Sequence, residues 1–541
     1  MRGTRLLVRS ALAAGLLTAC ALEPEVLPPY AEVKIVVDTD LDVRAFVARL
    51  QVDLYDEDEA WFFSRTVQRE APAQWPNSFV LTGPRAVDPG ATPKTILVRL
   101  RLHPDGKLRD YRGERYFPPS FLDGATPEAC LPLAPNTFTS ERDVKPLAQR
   151  AEDGSPLPPF FPQNEPLPDL TIDRLVAVRI VPGVQGEVRV TLEGRCLGEQ
   201  ANFGELPAPG DERTCIGGDL ATPAVADAQP SLDDAVPLVG TFAPPRPCTA
   251  TPKDGPLQSF EDEVCVDGGA FFLGDPAVFA YGVFDGVPEH VAIVPPFRMD
   301  RFEVTVGRFR KALADGLLEG VPLPTANEAP IDASAAAPLR QCTFSAAPHG
   351  REFHPLNCVT YATARAFCKA MGGDLPTEAQ WEYAAAASGR GGRETRYAWG
   401  SMDPDCTRAV FGRAAKPASG SLSSSDSNAC ATIAEDTGPQ PLRENEGTSG
   451  DLTPSGIVGL GGNVRELTLD DHRPYCSRCW FRAPLDAPAC VEDPKAARTV
   501  RGGDWASDTD GLLVGVRSEG LAEGAWSPRV GFRCVRPGED G

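Results

Sequence analysis

The chain has 541 residues, of which 42% are hydrophobic and 24% charged, a balance that excludes wholesale disorder and leaves room for two or three domains with cores of their own. Its formal net charge of -22 repels polyanions, which excludes nucleic acid as a partner and argues against binding to anionic lipid surfaces.

Residues 1–20 read as a targeting segment, with Arg2, Arg5 and Arg9 ahead of an apolar run over 11–17 that is too short to cross a bilayer. The segment ends in Leu17-Thr18-Ala19-Cys20, the form of a bacterial lipobox in which Cys20 is acylated and becomes the new N-terminus. An ordinary secretory signal with an incidental cysteine is the alternative. Lipidation predicts a cell-envelope lipoprotein, at the outer membrane or cell surface, that meets the membrane through its anchor. Setting Cys20 aside from 15 cysteines leaves 14, an even number that favours disulfides in an exported chain.

After a tether over 21–29, residues 30–200 carry strand periodicity. Leu50, Val52 and Leu54 alternate with Gln51, Asp53 and Tyr55, Ile96 to Leu102 alternate around Arg99 and Arg101, and Val188, Val190 and Leu192 alternate around Arg189 and Thr191. Pro182, Gly183 and Gly186 predict a hairpin between the run at 176–181 and the last of these strands. The pattern predicts a small antiparallel β-sandwich interrupted by a Pro-rich loop over 117–168. Residues 201–261 lose all periodicity and read as a Pro-rich linker, pinned locally by Cys215 and Cys248.

From residue 262 to 537 the elements are short. Gly268 to Gly274 opens with a strand, strands follow at 291–297 and 302–304, and Thr305 is placed to cap a helix through Ala314. Ala364, Phe367, Cys368 and Met371 share one face of a helix over 360–371. Thr377 and Gln380 form a capping box for the next helix, from which Trp381 and Tyr383 point into the core. Cys476 and Cys479 form a lone C-x-x-C without a second cysteine pair or histidine at zinc spacing, and each reads as a member of a structural disulfide whose partner is left open.

Four motifs stand in order in this half: residues 375–383 (Leu-Pro-Thr-Glu-Ala-Gln-Trp-Glu-Tyr), 461–466 (Gly-Gly-Asn-Val-Arg-Glu), 501–505 (Arg-Gly-Gly-Asp-Trp) and 531–534 (Gly-Phe-Arg-Cys). With Phe302-Glu-Val-Thr305 upstream, they resemble the formylglycine-generating enzyme (sulfatase-modifying factor) family. The resemblance implies an α+β class with a C-type-lectin-like domain at the C-terminus, and a disulfide between Cys368 and Cys534. It also implies a copper(I) site of two cysteines just past the Arg-Gly-Gly-Ser stretch, where a client cysteine is oxidised to formylglycine. Here Asp504 stands for the serine, Ser507 for the first cysteine and Leu512 or a near neighbour for the second. A hydroxyl lacks the softness and acidity of a thiol, so copper(I) is not expected to bind. The five histidines form no helical pair of the kind that holds nonheme iron in a related branch.

The resemblance further implies a calcium site, matched here by the Gly462 and Val464 carbonyls and the Glu466 carboxylate. Gly459 takes the place of its Asn or Asp ligand, and Arg465 and Leu467 replace two tryptophans. Glu466 paired with Arg465 or Arg501 is the competing reading. Asp504, Asp508 and Asp510 form an acidic loop, read as solvated charge. Two functions follow. In one, the protein is a non-catalytic binding or scaffold lipoprotein that takes a protein or glycan ligand. In the other, it is an oxidoreductase that converts a client cysteine to formylglycine at a rearranged site.

Overall fold

The computed structural model describes residues 28–539 except 47, 58–60, 111–163, 168–169, 202–211, 232–237, 256–259, 276–285, 287–288, 333–336, 390–394, 415–429, 431–436, 443–449, 476 and 482–485. The lipobox and Cys20, most of the Pro-rich loop, and Cys476 lie outside the described residues.

The N-terminal region is a sandwich of two sheets. Its strands are β1 (Tyr30–Thr39), β2 (Ala48–Tyr55), β3 (Trp61–Gln68), β4 (Asn77–Arg85), β5 (Lys94–Pro104), β8 (Ile172–Ile180) and β9 (Gln185–Leu192), with a short β6 (Leu108–Asp110) and β7 (Asn164–Pro166) pair between β5 and β8. One sheet runs β4-β1-β9; the other runs from β8 through β5 and β2 to β3. Val33, Ile35 and Val37 of β1 face Leu50, Leu100 and Val178 across the core, as period-two burial requires.

Two expectations need correction. The segment 181–184 is no hairpin: Val184 N donates to Val181 O and Gly183, at φ +77°, donates to Pro84 O, so the chain turns out of one sheet and into the other. Both neighbours of β8 are already taken, and β9 pairs with β1 in parallel, so the sandwich is mixed rather than wholly antiparallel. The expected linker is also partly ordered. β10 (Thr214–Ile216) and β11 (Asp219–Ala221) form a hairpin tied to the sandwich by Cys196–Cys215, and β12 (Val225–Asp227) extends the second sheet in parallel beside β8.

The charged members of the β5 alternation are buried as well. Arg99 and Arg101 meet Asp173 at 2.9 Å and Asp53 at 2.7 Å, which neutralises charge on the sheet's second face.

The C-terminal region uses shorter strands: β13 (Glu263–Val266), β14 (Gly269–Leu273), β15 (His290–Val294), β16 (Phe297–Asp300), β17 (Arg465–Asp471), β18 (Arg498–Arg501), β19 (Arg517–Leu521), β20 (Val530–Gly531) and β21 (Val535–Pro537). Among the described residues they form three small sheets, ordered β13-β16-β21, β14-β15 and β19-β18-β17-β20. The strand expected over 291–297 breaks at Pro295-Pro296, which leave the ladder short of two donors. Residues 302–304, expected as a strand, belong to no strand: Phe302 lies in a bend, and Val304 N donates to Phe532 O. A short helix, α1 (Val43–Phe46), lies in the sandwich; α2 (Val306–Ala314), α3 (Tyr361–Ala370), α4 (Glu378–Glu382) and α5 (Arg478–Phe481) follow. Thr305, Thr360 and Thr377 cap α2, α3 and α4 by accepting from the amides of Arg308, Thr363 and Gln380, and the Gln380 side chain accepts in return from Thr377 N.

The two regions share a core. Strand β14 sends Phe271 inward against Tyr383 and Phe272 outward into the sandwich, where it meets Phe46 edge-on at 5.0 Å. Beside it, Lys107 Nζ reaches the buried Glu289 carboxylate at 2.5 Å. Burial pushes Glu289 up to about 7, against the pull of Lys107.

Candidate functional site

Strand β18 delivers Arg501 into the core and then turns through Gly502 and Gly503. Gly502 has φ +81°, and a Cβ on Gly503 would stand 2.3 Å from Leu512 Cδ2 and 2.4 Å from Gly461 O, so only glycine lets the two loops approach. Asp504 then starts a tight turn. Its amide donates to Ser507 Oγ at 3.1 Å, Ser507 N returns to Asp504 O at 3.0 Å, and Ala506 N donates to Asp504 Oδ1 at 2.7 Å.

The turn sets Ser507, at the place of the first cysteine, against Gly511, the neighbour of Leu512. A Cβ on Gly511 would lie 3.0 Å from Ser507 Cβ, and Leu512 follows in the next half-turn. Ser507 and Leu512 are both buried. The Ser507 hydroxyl serves its own turn as an acceptor, and among the described residues no histidine hydrogen-bonds to it. The Asp504 carboxylate is held by cations: Arg529 Nε donates to Oδ1 at 2.8 Å and Arg465 Nε lies 2.7 Å from Oδ2. Among the described residues neither a base for the hydroxyl nor a thiolate pair stands there, so the donors do not fit copper(I).

Neighbouring loops fix this turn through the backbone. Gly412 N and Arg413 N donate to the carbonyls of Ser507 and Trp505, and Trp505 N donates to Asn463 O. Asn463 sits at φ +66°, a conformation asparagine tolerates, and its amide group exchanges two bonds with the Gln440 backbone.

Beneath the site lies a buried ionic cluster. Arg501 donates to Glu378 at 3.1 Å, to Tyr475 OH at 3.1 Å and to Glu382, while Arg517 grips both oxygens of Glu378 at 2.8 and 2.7 Å. Burial pushes Glu378 up, but Arg517 and then Arg501 outweigh it and hold the carboxyl down at about 2. Trp381 packs under the Arg501 guanidinium at 5.3 Å, and Tyr383 is likewise buried. Reasoning from sequence placed the two aromatics in the core but passed over Glu378 and Glu382. Their spacing of four on a helix flanked by core aromatics was the available signal.

Glu466 is buried and bound neither to Arg465 nor to Arg501. Arg533 donates to both its oxygens at 2.6–2.8 Å and Trp381 Nε1 donates to Oε2 at 2.9 Å. Gly459 offers no side chain, and a Cβ there would meet the Glu303 carboxylate at 2.9 Å. Among the described residues no group of three or more His, Cys, Asp or Glu is placed to hold a metal. The Gly462, Val464 and Glu466 set therefore does not fit a calcium ion, because a guanidinium already holds the carboxylate. Asp451, buried nearby, accepts from Gly461 N at 2.6 Å, and burial pushes it up to about 7.

The cysteines fall into bridges. Cys368–Cys534 joins α3 to the segment before β21, and Cys248–Cys265, Cys342–Cys358, Cys406–Cys430 and Cys479–Cys490 close shorter loops. Cys479 of the C-x-x-C belongs to a structural disulfide, with Cys490 as its partner.

The model of the Sulfatase-modifying factor enzyme 1-like domain matches residues 249–537. The chain is 28% identical to the formylglycine-generating enzyme of Streptomyces coelicolor over 333 residues, 54% of this chain and 95% of that one. It is 33% identical over 260 residues to the hercynine oxygenase of Mycolicibacterium thermoresistibile, covering 46% of this chain and 53% of the relative. Among solved structures, PvdO from Pseudomonas aeruginosa aligns at a TM-score of 0.39 with 20% identity, over 54% of this chain and 99% of its own.

Proposed function

Since the chain belongs to the sulfatase-modifying factor enzyme 1-like family, we propose that it is a non-catalytic member, a cell-envelope lipoprotein anchored through Cys20 whose C-terminal domain binds a protein or glycan ligand. One observation carries the reading. The place of the first reacting cysteine holds Ser507, whose hydroxyl accepts from the Asp504 amide, and the place of the second falls at Leu512 or a near neighbour, none of which is a cysteine. Every cysteine among the described residues is in a disulfide, which supports the same view.

The test is direct. The full chain is incubated with copper(I), oxygen and a sulfatase-type cysteine peptide, and the peptide mass is followed. No stoichiometric copper and no aldehyde are expected; peptide oxidation with one bound copper per chain would overturn the reading in favour of a rearranged oxidase. Anchoring is tested by fatty-acid labelling, which Cys20→Ala should abolish.

A further inference from the structure

Strand β3 ends the second sheet of the sandwich and hydrogen-bonds to β2 alone. Its register sets Phe63, Arg65 and Val67 opposite Leu54, Val52 and Leu50, which lie in the core, so all three share the face turned toward the other sheet. That sheet does not cover them fully: Phe63 is 44% exposed, and Arg65 is exposed as well.

In an antiparallel ladder alternate residues turn their N–H and C=O outward, and among the described residues no backbone group of Phe63 to Val67 finds a partner on that side. The other edges of the two large sheets are guarded. β4 carries Gly83 and Pro84, β12 is three residues long, and β9 is bridged through Glu187 to Gln229. β3 runs for eight residues without glycine or proline.

Charge indicates what completes this edge. Glu57 lies exposed just before β3, while Arg65 and Arg69, against Glu70, stand at its far end. A second β3 laid antiparallel brings the acidic start of each copy toward the basic end of the other. Two identical strands paired in this way obey a twofold axis, so the contact closes on itself. An axis at Arg65 would set two guanidiniums against each other. An axis at Ser64 instead sets each Phe63 across from the other copy's Arg65, where ring and cation attract.

We propose that two copies of the chain join through β3, antiparallel about Ser64, so that their five-stranded sheets become one. The pairing involves the sandwich alone and does not depend on what the C-terminal domain binds.

The full chain in detergent is sedimented over a range of concentrations. A monomer–dimer equilibrium is expected. Phe63→Lys, which adds an ammonium on each side of the axis, should raise the dimer dissociation constant about tenfold or more, and its thermal melting should match the parent because the ring is half-exposed. Ser64→Cys is a second probe that leaves the edge in place: its two thiols would meet across the axis within disulfide reach, and a non-reducing gel should show linked dimers, which Thr66→Cys should form far less. A monomer at every concentration would overturn the pairing and leave the edge to a strand of another protein. A dimer that Phe63→Lys leaves as tight, or that Ser64→Cys leaves unlinked, would overturn it too, because the copies would then meet elsewhere. If Phe63→Lys does not fold, the Ser64→Cys link alone decides.

Discussion

The sandwich and the C-terminal domain reach order by different means. The sandwich uses long ladders, with ten residues in β1 and eleven in β5, and one apolar core between two sheets. The C-terminal domain has strands of two to seven residues, and its loops are held, among the described residues, by five disulfides and by arginines buried against glutamates. Regular ladders satisfy backbone groups wholesale, and short strands leave that work to side chains. A domain fastened side chain by side chain can exchange one local set, as at Asp504 and Ser507, without losing its frame.

Substitutions that remove one fastening sharpen this contrast. The largest loss is expected for Arg501→Met, which leaves Glu382 buried without its cation and Glu378 with Arg517 alone; breaking such a pair costs about 3–5 kcal/mol. Denaturant melts should show it in the C-terminal domain while sandwich strands retain their hydrogen-exchange protection. Equal loss in both would mean that the two regions form one cooperative unit. Next comes the double change Cys368→Ala with Cys534→Ala. A bridge over a sequence separation of 166 stabilises by roughly 5 kcal/mol in the chain-entropy model, and measured effects are often smaller. Unchanged melting without reductant would deny the bridge any structural weight.

Phe46→Ala probes the seam. It removes the ring that meets Phe272 and should cost about 3 kcal/mol as a buried aromatic truncation. A single transition in the parent that splits into two in this variant would show that the shared core couples the regions; one transition in both would show that Lys107–Glu289 and the remaining contacts suffice.

Much of this was legible in the sequence where the signal is local. Alternation marked β2 and β5, and threonine caps marked α2, α3 and α4, because each depends on neighbours in the chain. The turn at 181–184 was legible as a turn, yet which sheet received β9 depended on the free edge of β1, far upstream. Arg99 and Arg101 marked the polar positions of an alternation, but their burial was not legible because their partners, Asp173 and Asp53, lie on other strands. The same limit hid one contact: Arg465 and Asp504 each stood out as departures, but the ion pair between them, and that of Arg529 with Asp504, joins segments far apart in the chain.

The smallest expected effect is a slope with pH. In the sandwich the buried Asp53 and Asp173 each face an arginine, whereas Asp451 accepts from the Gly461 amide and burial pushes it up to about 7 from an ordinary 3.8. A raised carboxyl means that the folded state holds its proton longer than the unfolded chain. The stability it contributes is fully present below about pH 4 and is lost as pH rises through 7. In the Asp451→Asn variant the side-chain amide oxygen would still accept from Gly461 N, and no titrating group would remain at that position. The stability of the parent minus that of Asp451→Asn should therefore fall between about pH 4 and pH 8, by on the order of 2 kcal/mol or more. Chemical denaturation of both chains across that range measures the difference, and parallel profiles would mean that the Arg533 charge beside Glu466 already holds Asp451 ionised.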